Sequence, residues 1–536
     1  MVTSWRSPRR HRPLVMGHRG MVAAAHPLAS LVGVDVLRKG GNAVDAAIAV
    51  NAALNVTQPG ACGIGGDLFA LVYWAGEGRV RFLNGSGRTP ASIDVQRLME
   101  RKEMPERGIW TVTVPGCVDA WFTLHETYGS LPMSELLAPA VELAQKGFPI
   151  SDKMARAIAT TLEKLSPDPT WIEVYAPGGS APEPGERFCQ PDLAKTLAMI
   201  GEKGRDAFYK GEIAEAIARF SENAGGWLSL EDLASHSSEW GEPLKCSYRG
   251  YTVYETPPNT QGLAALIGLR ILEGYDIPAL DWSNPRRVHL QVEAKKLAFA
   301  ERDRHVADPG FYQAPLERLL SKEYAARLRQ NIDPERAMPV GPSFSLAGGT
   351  TYFAVADEQG NLVSCVQSLF KGFGALVVPP GTGVALHNRG SYFSLDPAHP
   401  NAIAPRKRPF HTLIASMVFR EDRPVLAFGT MGGDGQPQTH IQVFSNILDH
   451  GMDVQEAIEA PRWLHGEAGP QRAGARLYVE SRFGESAVEA LKNMGHDVVT
   501  VGPWDDAMGH AQGVWIGDGV YAGAADPRGD GYALGW

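Results

Sequence analysis

The chain has 536 residues, with 51 lysines and arginines against 60 acidic residues and a formal charge of −9. Hydrophobic residues make up 44% and charged residues 21%, a balance that supports a large buried core. The acidic balance argues against broad nucleic-acid binding, which needs a basic surface to neutralise phosphates. No run of 18 apolar residues occurs, so no membrane-spanning helix is predicted. Cys62, Cys117, Cys189, Cys246 and Cys365 are scattered and show no CxxC spacing, which argues against a zinc ribbon or a disulfide framework. No apolar segment follows the N-terminal arginines, so no secretory signal is read, and a soluble, cytoplasmic protein is expected.

Residues 1–20 carry Arg6, Arg9, Arg10, Arg12 and Arg19 and no acid, and are read as a basic, disordered arm. Leu28, Leu31, Val32 and Val36 recur at helical spacing from Pro27 to Lys39, and Gly40-Gly41 ends that helix. Asn42 can cap a second helix over Ala43–Leu54, whose alanines and few charges suit burial against a sheet. Leu68–Trp74 and Val80–Leu83 read as a hairpin. Helices are predicted over Leu193–Ile200, Ala207–Phe220, Glu231–His236 and Pro285–Glu301, with a strand at Tyr251–Glu255. Further hairpins follow: Thr350–Ala356 with Leu362–Leu369, Leu413–Phe419 with Val425–Gly429, and Val514–Ile516 with Val520–Gly523. A helix over Thr439–Leu448 lies between the last two. Antiparallel hairpins with buried helices argue for an α+β layered sandwich.

Four features are candidates for chemistry. Gly63-Ile64-Gly65-Gly66-Asp67 follows a helix and precedes a strand, the reverse of a dinucleotide fingerprint, and reads as a tight turn. His305, His411 and His440 have no paired-ligand spacing, so no metal site is assigned. Thr350-Thr351 opens a strand after Gly348-Gly349, and a hairpin symmetric about Gln359 places Ser368 opposite Thr350. Gly429-Thr430-Met431-Gly432-Gly433-Asp434-Gly435 joins a strand to a helix, where backbone N–H groups could hold an oxyanion. A threonine that becomes a chain terminus gains a free α-amine, which can draw off its hydroxyl proton.

Together these segments resemble the γ-glutamyltransferase family of N-terminal nucleophile hydrolases, over about Gly17 to Trp536. The resemblance rests on HPLASLVGVDVLRKGGNAVDAAIA (26–49), QPGACGIGGDLFALVY (58–73), YRGYTVYETPPNTQG (248–262), TTYFAVADEQGNLVS (350–364), GTMGGDGQPQ (429–438) and ADPRGDG (525–531). It implies a four-layer αββα sandwich and autocleavage before Thr350. A large fragment, 21–349 with its arm, and a small fragment, 350–536, would stay associated, and two such heterodimers could pair. It makes Thr350 the nucleophile, Ser368 its hydroxyl partner, and Gly432 and Gly433 the oxyanion pair. It implies no cofactor, and a small amide as substrate.

The departures from the family pattern all fall on the substrate pocket. Ser86 stands where the family holds the substrate carboxylate with arginine, and Arg88 follows two residues later. Phe370 replaces an asparagine, Arg389 a glutamine and Tyr392 an acid, while His411-Thr412 replace paired serines. Without that acid a glutamyl ammonium would be buried unpaired, at a cost of ~3–5 kcal/mol. Arg389, helped by Arg88, would instead favour an acyl group with a carboxylate and no amine. Each arginine could equally be held in an ion pair by a protein acid. The pocket therefore resembles the acylase and amidohydrolase branch of the family. The alternatives are a true γ-glutamyltransferase or glutathione hydrolase, an uncleaved homologue acting as a binding protein, and a nucleotide enzyme using the Gly63–Gly66 turn.

Overall fold

The computed structural model describes residues 10–339, 349–466 and 475–536. Two antiparallel seven-stranded sheets lie at its centre. One sheet runs in the order 532–535, 21–24, 349–356, 362–370, 67–74, 79–85 and 239–241. The other runs 15–17, 521–525, 511–516, 423–430, 416–420, 251–255 and 244–248. Strand alternation sorts the side chains into three apolar layers. Phe69, Leu71, Tyr352, Ala354, Met417, Ala427 and Val514 meet between the sheets. Phe353, Val355, Val363 and Cys365 point the other way, onto the helices Pro27–Arg38, Ala43–Thr57 and Met133–Lys146. Val418, Leu426 and Phe428 face the helices Gly262–Leu272, Pro285–His305 and Gln436–Leu448. This is the four-layer αββα order.

The alanine-rich helix spans Ala43–Thr57, and all of its residues are buried. Its start is fixed by a capping box, in which Asn42 accepts from Val44 and Asp45 while Asp45 accepts from the Asn42 amide. The helix read as continuous from Ala207 to Phe220 is two, Asp206–Tyr209 and Glu212–Asn223, with Gly211 as the second N-cap. The strand expected from Leu413 begins at Ser416.

Residues 10–20 are not a disordered arm. Val15–Gly17 pairs with Tyr521–Gly523, and the amides of His11 and Arg12 donate to the Glu459 carboxylate. The arginines there had masked a short edge strand. Residues 1–9 of the arm lie outside the described residues, as does Gly348. Among the described residues no helix is long and apolar enough to cross a membrane.

Candidate active site

The Thr350 hairpin follows the register read from the sequence: Thr351 faces Gln367, Tyr352 faces Val366, and the pairing continues to Ala356 and Leu362. It slips once, because Gly349 pairs with Phe370. Thr350 therefore sits opposite two residues, Ser368 and Leu369, in a β-bulge of the kind that re-aims a side chain. Phe370, at the far side of the bulge, has φ +78°, a strained value for an aromatic residue.

The bulge brings three groups onto one hydroxyl. Thr350 Oγ1 donates to Ser368 Oγ at 3.2 Å, and the Phe370 amide donates to the same oxygen at 2.6 Å. The Ser368 hydroxyl donates to the carbonyl oxygen of Gly349. Ser368 thus polarises the carbonyl next to the Gly349–Thr350 bond while accepting from the threonine beside it. Thr350 and Ser368 are 3% and 1% exposed.

Gly432 and Gly433 follow the strand Arg423–Thr430 and precede the helix Gln436–Leu448. Their φ values, +130° and +55°, are ones that side chains rarely adopt. Gln261 Nε2 holds the Gly433 carbonyl at 2.9 Å and the Thr412 carbonyl at 2.7 Å. Next in the chain, Asp434 accepts from Arg302 on one oxygen and from the Tyr392 hydroxyl, at 2.6 Å, on the other. Burial and the neighbouring carboxylate raise Tyr392 well above the usual phenol range, so it stays a neutral donor.

Arg389 is 1% exposed and lies over the Phe370 ring, 4.1 Å from its centroid. Its Nη1 donates to Thr412 Oγ1 at 3.1 Å. Among the described residues its Nη2 has no hydrogen-bond partner, and no ion pair within 4.0 Å involves it. Burial pulls its pKa down to about 10, which leaves it a cation at neutral pH.

Asp67 pairs across the strands with Ser368 and lies at the base of the same region. Its Oδ1 accepts from the amides of Gly87 and Gly116 at 3.1 and 3.2 Å. Its Oδ2 lies 3.2 Å from His411 Nε2 and 3.6 Å from His387 Nδ1. Burial opposes its ionisation, but the two imidazoles and Arg389 outweigh that and hold it at about 2. Burial and then Arg389 pull His411 down to about 3, so it is neutral.

The structure brings Thr350, Ser368, Phe370, Arg389, Tyr392, His411 and Thr412 into one region and leaves two expected residues aside. Ser86 Oγ donates to Asn84 Oδ1 at 2.6 Å and accepts from Asn259, whose carbonyl in turn accepts from the His411 amide, so Ser86 is committed to a buried polar network behind the pocket. Arg88 does not assist Arg389, because its Nη2 is held 2.8 Å from Glu239 Oε1. The site also draws on Asp67, His387, Arg302 and Gln261, to which the sequence assigns no role. For Asp67 the sequence did hold a signal: the preceding glycines form the expected close turn, where a Cβ on Gly66 would lie 2.3 Å from the Ser368 carbonyl oxygen. Among the described residues one group, His289, Glu293 and His496, brings three ligand atoms within 4.8 Å. Its atoms are committed to one another, to Lys296, and to the Asp333 carbonyl and Met338 amide.

A threonine opening a central strand of an αββα sandwich, with a hydroxyl bridging it to the preceding carbonyl, defines an N-terminal nucleophile hydrolase. The sequence profile of γ-glutamyltranspeptidase matches residues 29–536, and the chain belongs to that family. It is 43% identical to a glutathione hydrolase-like proenzyme, YwrD, of Bacillus subtilis, covering 97% of this chain and 99% of that one. It is 38% identical to the oxamate amidohydrolase proenzyme of Klebsiella pneumoniae, covering 96% and 98%. The structure of a cephalosporin acylase from Bacillus halodurans superposes with a TM-score of 0.92 at 40% identity, covering 100% of this chain and 98% of that one.

Proposed function

We propose that this enzyme cleaves itself before Thr350 and then hydrolyses amides whose acyl group carries a carboxylate but no α-ammonium. In self-cleavage Thr350 Oγ1 attacks the Gly349 carbonyl carbon, the C–N bond breaks, and the amide nitrogen takes up the hydroxyl proton. Water then hydrolyses the resulting ester, which frees the Gly349 carboxylate and the Thr350 hydroxyl and leaves Thr350 with its free α-amine. In turnover that amine accepts the hydroxyl proton as Thr350 attacks the substrate carbonyl. The Gly432 and Gly433 amides face the developing oxyanion. Water, or an amine acceptor, releases the acyl group. The proenzyme names of both curated relatives agree with a two-fragment product.

The observation that carries the substrate reading is Arg389, a buried guanidinium with one nitrogen unpartnered and no carboxylate in ion-pair range among the described residues. A substrate carboxylate would complete it. Of the acids nearby, Asp434 is engaged by Arg302 and Tyr392, whereas Asp67 holds two amides on Oδ1 and has its Oδ2 3.2 Å from His411 Nε2, with no hydrogen-bond partner among the described residues. An α-ammonium would have to compete for Asp67 with the two imidazoles and with Arg389, whose positive charge opposes a second cation in the same pocket. N-terminal sequencing should give a fragment beginning at Thr350, and Thr350→Ala should leave one uncut, inactive chain. A glutaryl anilide should be hydrolysed at least about 100-fold faster, in kcat/KM, than its γ-glutamyl counterpart. Preference for the glutamyl compound would refute the reading.

A further inference from the structure

Thr350 has a second side. The strand Met21–Ala24 pairs with Phe353–Ala356 and goes no further, so the edge at Thr350–Tyr352 is uncovered there. A cavity of about 270 Å³ fills that place. Thr350, Met154, Phe373, Met431 and Gln512 are among its lining residues, with Asp506 at the rim, whereas Arg389, Tyr392, His411 and Thr412 are not. Gln512 is fully buried, yet neither its amide nitrogen nor its amide oxygen has a partner among the described residues. The Thr351 hydroxyl is likewise unpartnered. Asp506 is ion-paired with Lys153 and lies 3.5 Å from His510 Nε2.

An amide carbonyl seated on Thr350 has two substituents that must diverge. If the acyl chain runs to Arg389, the nitrogen substituent has to leave on the other side. We infer that this cavity is the leaving-group subsite, and that it takes the amine half of N-substituted amides: an apolar body against Met154, Met431 and Phe373, with a polar group on the Gln512 amide. The inference rests on Thr350 being the nucleophile proposed above. As the Thr350 Oγ1–carbon bond forms and the C–N bond breaks, the nitrogen takes the proton that the Thr350 amine drew from the hydroxyl. It departs into the cavity as a neutral amine. Ammonia is about the size of a water, whose share of liquid volume is ~30 Å³, and would leave most of this space unused. The buried amide of Gln512 would then stay unpaired, a costly arrangement for a polar group that no ligand meets.

The test compares N-benzylglutaramic acid with glutaramic acid, the primary amide of the same acyl group. Benzylamine is no better a leaving group than ammonia, so a preference reports the subsite. The parent enzyme should favour the benzyl amide at least about tenfold in kcat/KM. Ala157 also lines the cavity; Ala157→Phe, which fills it, and Gln512→Leu, which removes its polar anchor, should each lower that ratio about tenfold or more. Correct folding of each variant is checked by its conversion into two fragments. A parental ratio at or below one, or a ratio unchanged in both variants, would overturn the subsite while leaving the acyl pocket standing. Failure of the parent to hydrolyse either compound would strike the acyl-pocket reading and the subsite with it.

Discussion

The hairpin that carries Thr350 and the pocket that holds Arg389 adjoin each other and differ in how their polar atoms are used. Around Ser368 in the hairpin the polar atoms are partnered: Thr350, the Phe370 amide and the Gly349 carbonyl all converge on its hydroxyl. In the pocket Arg389 Nη2, His411 Nδ1 and Asp67 Oδ2 are buried without a hydrogen-bond partner among the described residues. A saturated network fixes geometry before any ligand arrives, whereas an unsaturated one is completed by the ligand. The contrast suits an enzyme whose first reaction is on its own chain, and it supports the proposal that the second is on a molecule that brings its own charge.

The largest effect should come from the saturated side. Ser368→Ala removes the one hydroxyl that polarises the Gly349 carbonyl, and losing a single such donor costs ~10²–10³ in rate. A gel time course of freshly purified precursor should show cleavage slowed by about that factor. Cleavage at the parental rate would mean that the hairpin network is structural only.

The unsaturated side should respond differently to loss of its charge. Arg389→Met should leave self-cleavage intact and lower kcat/KM for a glutaryl amide about 100-fold, in line with the ~3 kcal/mol lost when a buried charge pair is broken. The same change should raise the thermal midpoint of the ligand-free protein, because an uncompensated buried guanidinium is unfavourable. A lowered midpoint would show that Arg389 belongs to a structural ion pair instead.

What the sequence made legible divides along the same line. A hairpin is local, so the turn at Asp357–Asn361 and pairing symmetric about Gln359 were enough to put Ser368 next to Thr350. The one-residue slip that pairs Gly349 with Phe370 was not legible, since nothing in the local sequence marks a bulge there. The pocket draws on strands and loops hundreds of residues apart. Asp67 reaches Ser368 through the pairing of Asp67–Trp74 with Leu362–Phe370, and Arg302 reaches Asp434 from a different helix. No spacing rule encodes such contacts. Arg88 shows the reverse error: its place in the sequence pointed to the pocket, while Glu239, from a third strand of the same sheet, draws it away. The strand Met21–Ala24 has four buried residues and no polar alternation, so periodicity could not reveal it.

Buried imidazoles, two in the pocket and others elsewhere in the protein, carry a pH signature that the hairpin lacks. Burial first, and then Arg389, pull His411 down to about 3, and burial likewise lowers His387, takes His236 to about 4 and takes His496 to about 3. An unfolded chain protonates its histidines near ~6.5, so between that value and the folded values it binds more protons than the native state. Stability is therefore greatest above ~6.5 and falls as the pH drops, by up to about 1.4 kcal/mol per pH unit for each buried neutral imidazole. Asp67 works in another window: its depressed value contributes stability above ~3.9 that is lost only as the pH approaches about 2. Urea midpoints should accordingly fall steeply from pH 6.5 to pH 4.5. His411→Gln, which keeps a polar side chain but cannot titrate, should remove up to one proton from that slope. An unchanged slope would mean that His411 carries its proton in the native protein, and the pocket would then hold two adjacent cations rather than one.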